Sequence, residues 1–281
     1  MNGYRRRLLP GLLALILLLS IPAMTACGGG AELPETDEPA LTAEPAPEST
    51  PEPTPEPTPE PTPEPTPDLT PLPPEWFDDA VFFGDSISIL LKKRCEASGE
   101  LGEAQFAPQY SYSVYDAITP GNLTIFYQGG ERRPHEVLAM SGAKKVFIML
   151  GNNDFAHGST LDGQMEKWET FLAILRESSP DAVIFIESCL PAYRWAVHDG
   201  WNNELFDEYN QRLRTFCEEN ECVFVELSHY FKDEDNNLAE EYCADQFCHL
   251  TPPAVELWVE QLKNPENYSV DPRSIQYGQD A

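Results

Sequence analysis

Short runs of mainly apolar residues restrict the possible folds of this chain more than any other feature. Four clear runs cover residues 80–83, 145–150, 182–186 and 222–227, and a weaker one covers 104–107. Runs in which apolar and polar residues do not alternate are typical of strands covered on both faces, as in parallel sheets. The sequence therefore predicts an α/β fold, namely a three-layer α/β/α doubly wound sheet of about five parallel strands.

Amphipathic segments between and after these runs predict the helices that cover the sheet. Apolar residues at helical spacing form three faces: Met165, Trp168, Leu172 and Leu175; Leu205, Tyr209, Leu213 and Phe216; and Val255, Trp258, Val259 and Leu262. Thr251 is expected to cap the last helix, with Pro252 in its first position. In such folds the ligand lies at the carboxyl ends of the strands.

Three polar strings fall at those expected ends. Gly84-Asp85-Ser86 follows the first run, Gly151-Asn152-Asn153-Asp154 follows the run at 145–150, and Asp245-Gln246-Phe247-Cys248-His249-Leu250-Thr251 precedes the last helix. They supply a hydroxyl nucleophile, a neutral amide donor and an acid–histidine pair, which are the groups that a serine hydrolase needs. Taken alone, Ser86 could be a helix cap and Asn153 a turn residue.

These strings resemble three of the four sequence blocks of the GDSL or SGNH hydrolases. The resemblance implies that Ser86 is the nucleophile, that His249 is the base, and that Asp245 orients His249. It also implies that the Ser86 N–H and the Asn153 amide bind the oxyanion. The family usually has two residues between the acid and the histidine, whereas this chain has three. His157 and His229 are alternative bases, and Asp154 is expected to be a structural brace.

The second family block contains a glycine whose N–H completes the oxyanion hole. The corresponding segment, 108–113, contains no glycine. Because only an N–H is required there, Tyr110 or Ser111 could supply it, and Tyr110 is the residue we assign.

Seven cysteines are present, one of them at position 27. Local spacing makes Cys217 with Cys222 and Cys243 with Cys248 candidate disulfides, and reduced core thiols are the alternative. The close spacing of Cys243, Asp245, Cys248 and His249 is unfavourable for tetrahedral metal binding, so we expect neither a metal nor a cofactor.

Three aromatic residues, Tyr193, Trp195 and Trp201, fall in a polar segment at the expected active-site end. Aromatic faces suit sugar rings, so these residues are candidates for a saccharide platform. The alternative is that they cover the core.

The N-terminal part has the features of an export signal. Residues 1–26 combine three arginines with an apolar stretch and small residues, which is typical of a signal peptide. Cys27, followed by three glycines, resembles a bacterial lipobox, which implies a diacylglycerol anchor at the outer face of the plasma membrane. An ordinary secreted protein is the alternative.

Residues 27–74 form a Pro-Glu-Thr-rich segment that we expect to be a disordered, extended spacer. A ligand for proline-binding modules is the alternative interpretation. We expect the hydrolase domain at 75–264 and a polar tail at 265–281.

The formal net charge of −29 has the opposite sign to the charge that binds a phosphate backbone, so nucleic acid is not expected as a partner. The predicted function is a cell-surface serine esterase that removes acyl groups, above all acetyl, from a glycan or another small ester. The alternatives are a non-catalytic carbohydrate-binding lipoprotein and, third, a lipase or thioesterase. The expected partners are the acylated carbohydrate and the membrane, through Cys27, and the protein is expected to be a monomer.

Overall fold

The computed structural model describes residues 68–275. The predicted signal peptide, Cys27 and the spacer up to residue 67 lie outside the described residues, as do the last six residues of the tail. Within residues 68–275, no helix combines the length and the apolar character needed to span a membrane.

Within residues 68–275, seven strands form one parallel sheet and one hairpin. In chain order they are β1 (Ala80–Gly84), β2 (Gln105–Pro108), β3 (Ile125–Tyr127), β4 (Gly130–Arg132), β5 (Lys145–Met149), β6 (Val183–Glu187) and β7 (Val223–Val225). Five of them make the parallel sheet in the order β2-β1-β5-β6-β7, while β3 and β4 pair as an antiparallel hairpin. The five-stranded doubly wound sheet is therefore confirmed.

In the described part of the chain, seven α-helices and four short 3₁₀ helices accompany the strands. The α-helices are α1 (Ser88–Ser98), α2 (Val114–Ile118), α3 (Pro134–Ser141), α4 (Asn152–Ala156), α5 (Leu161–Ser178), α6 (Asn203–Glu219) and α7 (Pro252–Leu262). The 3₁₀ helices are Pro74–Phe77, Ser228–Phe231, Glu240–Tyr242 and Pro265–Asn267. Thr251 caps α7 as expected, since its side chain accepts the Ala254 N–H.

The strand order fixes where a ligand should lie. The chain steps from β1 to β2 in one direction, and from β5 through β6 to β7 in the other. Right-handed crossovers therefore place α1 on one face and α3, α5 and α6 on the opposite face. The strand order reverses between β1 and β5, and the crevice at such a switch point is the usual binding site of this architecture.

A row of phenylalanine rings crosses the sheet and aligns its strands. Phe106, Phe82, Phe147 and Phe185 occupy paired positions on four neighbouring strands. Their rings stack, with centroids 5.0, 4.5 and 4.5 Å apart along the row. Because a shift of one strand against its neighbour would break this stacking, the row helps to set the register of the strands.

The folded region is wider than the expected 75–264. Leu72 is buried, and its N–H donates to the Lys263 carbonyl over 2.7 Å. The Tyr268 ring packs edge-on against Phe185, with 5.9 Å between centroids. Both boundaries are corrected accordingly, because isolated apolar residues in the proline-rich and polar flanks complete the core.

Candidate active site

Three of the residues expected at the active site form one chain of hydrogen bonds. The Ser86 Oγ lies 2.9 Å from the His249 Nε2, and the His249 Nδ1 lies 2.5 Å from the Asp245 Oδ2. With the carboxylate on Nδ1, the Nε2 atom can accept the Ser86 proton. The alternative bases lie elsewhere: His157 is exposed after α4, and the Nδ1 of His229 is 3.7 Å from a glutamate carboxylate.

Hydrogen bonds within the loop that carries Asp245 and His249 accommodate the extra residue between them. The Asp245 Oδ1 accepts the N–H groups of Phe247 and His249 over 2.9 and 3.2 Å. At the base of the loop, the Ala244 N–H donates to the His249 carbonyl over 2.8 Å. Burial raises the pKa of Asp245, but the hydrogen bonds from the His249 ring and from these N–H groups outweigh it. The pKa therefore lies below its usual value, and the carboxylate stays charged beside the ring.

The turn between β1 and α1 presents Ser86. Gly84 ends the strand at a point where a Cβ atom would overlap the Ser88 side chain, so only glycine fits. Ile87 is the N-cap of α1, and the Ser86 Oγ contacts His249 instead of capping the helix. Within residues 68–275, no group accepts the Ser86 N–H, so this donor is available to an oxyanion.

Asp85 has a role that the sequence analysis did not assign. Its carboxyl group is buried, with Oδ1 accepting the Ile87 N–H and Oδ2 accepting the Asn153 Nδ2, both over 2.9 Å. Burial raises the pKa of Asp85 to about 6, against the opposing Ile87 hydrogen bond. Asp85 thus links the turn that carries the nucleophile to the string that follows β5.

Asn153 is held by two acceptors. Besides the Asp85 bond, its Nδ2 donates to the Tyr112 carbonyl over 3.0 Å, so both of its amide hydrogens are directed at protein oxygens. Gly151 begins this string with φ of 141°, and a Cβ atom there would overlap the Tyr209 ring. This tight turn brings the Asn153 side chain next to the β1 turn.

Asp154 lies in a structural position. Its two carboxylate oxygens accept the N–H groups of Val114 and Tyr115 over 2.8 and 3.1 Å at the start of α2. Lys167 approaches the same carboxylate at 3.4 Å. Burial raises the pKa of Asp154, and these three partners oppose the rise.

The segment that replaces the second-block glycine has a distinctive backbone. The Tyr110 N–H donates to the Gln109 Oε1 over 2.9 Å, so this donor is engaged. Ser111 has φ of 54°, in the left-handed region that favours glycine. Among the described residues, no group accepts the Ser111 N–H. The engaged Tyr110 N–H and the glycine-like backbone of Ser111 therefore favour Ser111 over Tyr110 as the N–H donor to the oxyanion.

The three aromatic residues considered as a saccharide platform separate into two groups. Tyr193 and Trp201 are buried and cannot offer a free face, whereas Trp195 is 66% exposed. Phe247, which the sequence analysis did not consider, is also exposed and stacks on Trp201. The platform as first predicted is therefore wrong in two of its three residues.

A cavity of about 540 Å³ lies beyond the segment that contains Ser111. Its walls include Ser111, Tyr115, Leu123, His157 and Lys167. Apolar surface from Tyr115 and Leu123 meets polar groups here, which is the usual composition of a small-molecule pocket.

Neither candidate disulfide is formed. The cysteines in the described range are all free thiols: Cys95, Cys189, Cys217, Cys222, Cys243 and Cys248. The Cys189 thiol hydrogen-bonds the Asn152 Oδ1 in the interior. Across residues 68–275, no three His, Cys, Asp or Glu side chains are grouped to hold a metal ion.

Comparisons with known proteins give one matching family and several similar folds. The model of the GDSL-like lipase/acylhydrolase family matches residues 82–257, more than half of the chain. A comparison with curated protein sequences gives no match.

Solved structures show the same fold at low sequence identity. A GDSL-like lipase from Bacteroides thetaiotaomicron is 16% identical, with a TM-score of 0.53 over 66% of this chain and 85% of the other. A candidate acylhydrolase from Bacteroides fragilis has the same identity and TM-score over 65% and 83% of the two chains. A candidate GDSL-like lipase from Parabacteroides merdae is 17% identical, with a TM-score of 0.50 over 65% and 92%.

Proposed function

Because the chain belongs to the GDSL-like lipase/acylhydrolase family and is an ester hydrolase, we propose that it removes short acyl groups, above all acetyl, from a glycan. The observation that carries the proposal is the 2.9 Å contact between the Ser86 Oγ and the His249 Nε2, with Asp245 on the other ring nitrogen.

In the proposed reaction His249 takes the Ser86 proton while the Ser86 Oγ attacks the ester carbonyl carbon. The tetrahedral intermediate collapses when His249 gives that proton to the leaving alcohol oxygen, which leaves an acyl-enzyme on Ser86. A water molecule then loses a proton to His249 and attacks the acyl carbon. The second tetrahedral intermediate collapses when His249 returns this proton to the Ser86 Oγ, which breaks the bond between Oγ and the acyl carbon, releases the carboxylic acid and restores the enzyme. Asp245 stabilises the imidazolium in both steps.

Three donors are proposed for the oxyanion. The Ser86 and Ser111 N–H groups have no acceptor among the described residues, so each can bind a developing negative charge without breaking an existing bond. Asn153 would share with the oxyanion the hydrogen that it now directs at the Tyr112 carbonyl.

The openness of the site supports a substrate that presents an acyl group on a larger carrier. The His249 and Asp245 side chains are 41% and 37% exposed, so the reacting groups lie at the surface. An acetyl group that projects from a saccharide chain can reach such a site without the whole chain entering a deep pocket.

The proposed location is the outer face of a bacterial plasma membrane. The lipobox-like Cys27 supports a diacyl anchor. The 40 residues at 28–67 would carry the catalytic domain up to roughly 125 Å from the membrane, at about 3.1 Å per residue. In this arrangement the domain would reach polymers beyond the membrane. Fractionation tests this proposal: Cys27→Ser should move the protein from membranes to the soluble fraction.

A lipase or thioesterase for longer acyl groups is a second candidate. It is favoured by the cavity beside Ser111, whose volume of about 540 Å³ far exceeds what an acetyl group requires. On this alternative, the chain of the acyl group would lie between Tyr115 and Leu123.

A panel of esters tests the proposal. The full-length protein is incubated with acetylated oligosaccharides and with methyl esters of acetic, butyric and octanoic acid, and released acid is measured. We expect the highest kcat/KM for the acetylated saccharides. The Ser86→Ala variant should release no measurable acid from any of these esters. A preference for octanoate would favour the lipase, and hydrolysis of no ester would contradict both candidates.

A further inference from the structure

Phe247 presents one free ring face beside the proposed base. Its centroid lies 6.4 Å from that of the His249 ring. The buried Trp201 covers its other face, with rings parallel within 5° and centroids 4.8 Å apart. Trp201 is fixed in turn, because its Nε1 donates to the Asn152 carbonyl over 3.0 Å. The 44% of Phe247 that remains exposed therefore belongs to a rigidly supported ring.

Trp195 provides a second exposed ring on an adjoining segment. It packs edge-on against Tyr193, with centroids 5.5 Å apart and planes at 81°. The Tyr193 N–H donates to the Phe247 carbonyl over 2.7 Å, which joins the two segments. The Arg194 guanidinium lies 5.5 Å from the Trp195 ring centroid and hydrogen-bonds Glu240. Two aromatic residues thus remain open to solvent around the catalytic loop.

The reaction chemistry decides which half of the ester meets these rings. His249 must protonate the leaving oxygen, so the alcohol half lies on the His249 side of Ser86. The acyl half and the oxyanion lie toward the donors at Ser111 and Asn153. Phe247 is therefore on the side of the alcohol.

We propose that Phe247 and Trp195 form an alcohol-side subsite that binds one neutral saccharide ring of the substrate. This inference rests on the proposed function and names the carrier of the acyl group. The faces of aromatic rings are negatively polarised, whereas the C–H groups on a sugar face are weakly positive, so the two stack. The strongly acidic chain disfavours a polyanionic saccharide.

The test measures how much a saccharide in the alcohol half of the ester raises kcat/KM. Phe247→Ala and Trp195→Ala are compared with the wild-type full-length protein on a monoacetylated methyl glucoside, on cyclohexyl acetate and on methyl acetate. We expect the ratio of kcat/KM for the sugar ester to that for methyl acetate to fall roughly five- to tenfold in Phe247→Ala. The fall should lie mainly in KM, and a smaller fall is expected in Trp195→Ala.

Phe126 supplies a matched control, because it is a phenylalanine that is 67% exposed on the β3 strand of the hairpin. Phe126→Ala should leave the ratio unchanged. Phe247→Tyr should keep the wild-type ratio of the two kcat/KM values. That result would exclude a general distortion of the catalytic loop as the cause of the loss in Phe247→Ala. An unchanged ratio in both Phe247→Ala and Trp195→Ala would overturn the subsite. Equal losses for cyclohexyl acetate and the sugar ester would also overturn it, because the site would then recognise only apolar rings.

A binding measurement separates this inference from the proposed function. Deacetylated neutral oligosaccharide is titrated into the full-length protein, and tryptophan fluorescence reports the Kd. Saccharide binding that weakens in Phe247→Ala, with no hydrolysis of any ester, would contradict the esterase and support the subsite. Hydrolysis of methyl acetate without saccharide binding would support the esterase and contradict the subsite.

Discussion

The two sides of Ser86 differ in burial and in charge. On one side, Asp245 and His249 lie in a surface loop, and the pKa of Asp245 is below its usual value because donors surround it. On the other side, Asp85 is buried, and burial raises its pKa to about 6. Two carboxyl groups of one site are thus shifted in opposite directions.

This difference matches the separate tasks of the two sides. The Asp245–His249 side must exchange protons with the alcohol and with water, so it has to be accessible to both. The Asp85–Asn153 side must hold donors in place for a charge that exists only in the transition state, which favours a fixed and buried frame. Substitutions on the two sides of Ser86 should therefore have different effects on catalysis.

The largest effect is expected for Ser86→Ala, because Ser86 serves both sides. Turnover of a short ester should fall by roughly 10⁵-fold, since only substrate binding and oxyanion stabilisation remain. The melting temperature should be unchanged, because the hydroxyl is partly exposed. Ser98→Ala, at the other end of α1, is the matched control and should keep wild-type kcat. Near-normal turnover in Ser86→Ala would refute the nucleophile assignment.

Asn153→Ala tests whether the buried side supplies an oxyanion donor or only a brace. Loss of a donor should lower kcat about 100- to 1000-fold with little change in KM. Steady-state kinetics and thermal unfolding are measured together. A lower melting temperature with near-normal kcat would instead mean that the bonds to Asp85 and Tyr112 serve only the fold.

Asp85→Asn removes the charge that faces Asn153, and kcat/KM at pH 8 should fall on the order of 10- to 100-fold. The Asp85 carboxyl is charged above its pKa of about 6 and neutral below it. The advantage of the wild type over the variant should therefore shrink as pH falls from 8 to 5. The ratio of kcat/KM for the two proteins is taken at each pH, so that the measurement reports the part of the profile that depends on Asp85. A ratio independent of pH would show that the charge of Asp85 does not matter.

The smallest effect concerns Ser111. Ser111→Gly relieves a left-handed conformation that costs a non-glycine residue roughly 1–2 kcal/mol, against roughly 0.4–1 kcal/mol of extra chain entropy in the unfolded state. The free energy of unfolding should rise by roughly 0–1.6 kcal/mol, which is the difference between these two ranges, as measured by denaturant titration. Ser111→Ala keeps the Cβ atom and should bring no gain. Destabilisation by glycine would mean that the Ser111 side chain stabilises the turn.

The sequence predicted the parts of the site that depend on local strings at strand ends. Ser86 and Asn153 come together because they follow neighbouring strands, β1 and β5, of a parallel sheet, and the loop before α7 brings Asp245 and His249 to the same edge. The choice between Tyr110 and Ser111 depends on one backbone angle, which composition does not reveal.

Burial in loops was equally hard to predict. Tyr193 and Trp201 occupy a polar segment, so nothing in their surroundings indicated that they would pack beneath Phe247. Leu72 and Tyr268 are single apolar residues in proline-rich or polar flanks, and only the tertiary fold gives them a place in the core. The role of Asp85 had a visible signal, because it lies inside the Gly84-Asp85-Ser86 string.

The row of stacked phenylalanine rings has a consequence for how this protein can change over evolution. A slip of β1 against β5 by two residues would carry Ser86 about 6.6 Å along the sheet, beyond the reach of Asn153. The rings prevent this slip from inside the core, at a distance from any reacting atom. The residues of the loops can therefore change during evolution without loss of the fold. A substitution deep in the sheet, such as one at Phe147, could abolish catalysis although it alters no polar group of the site.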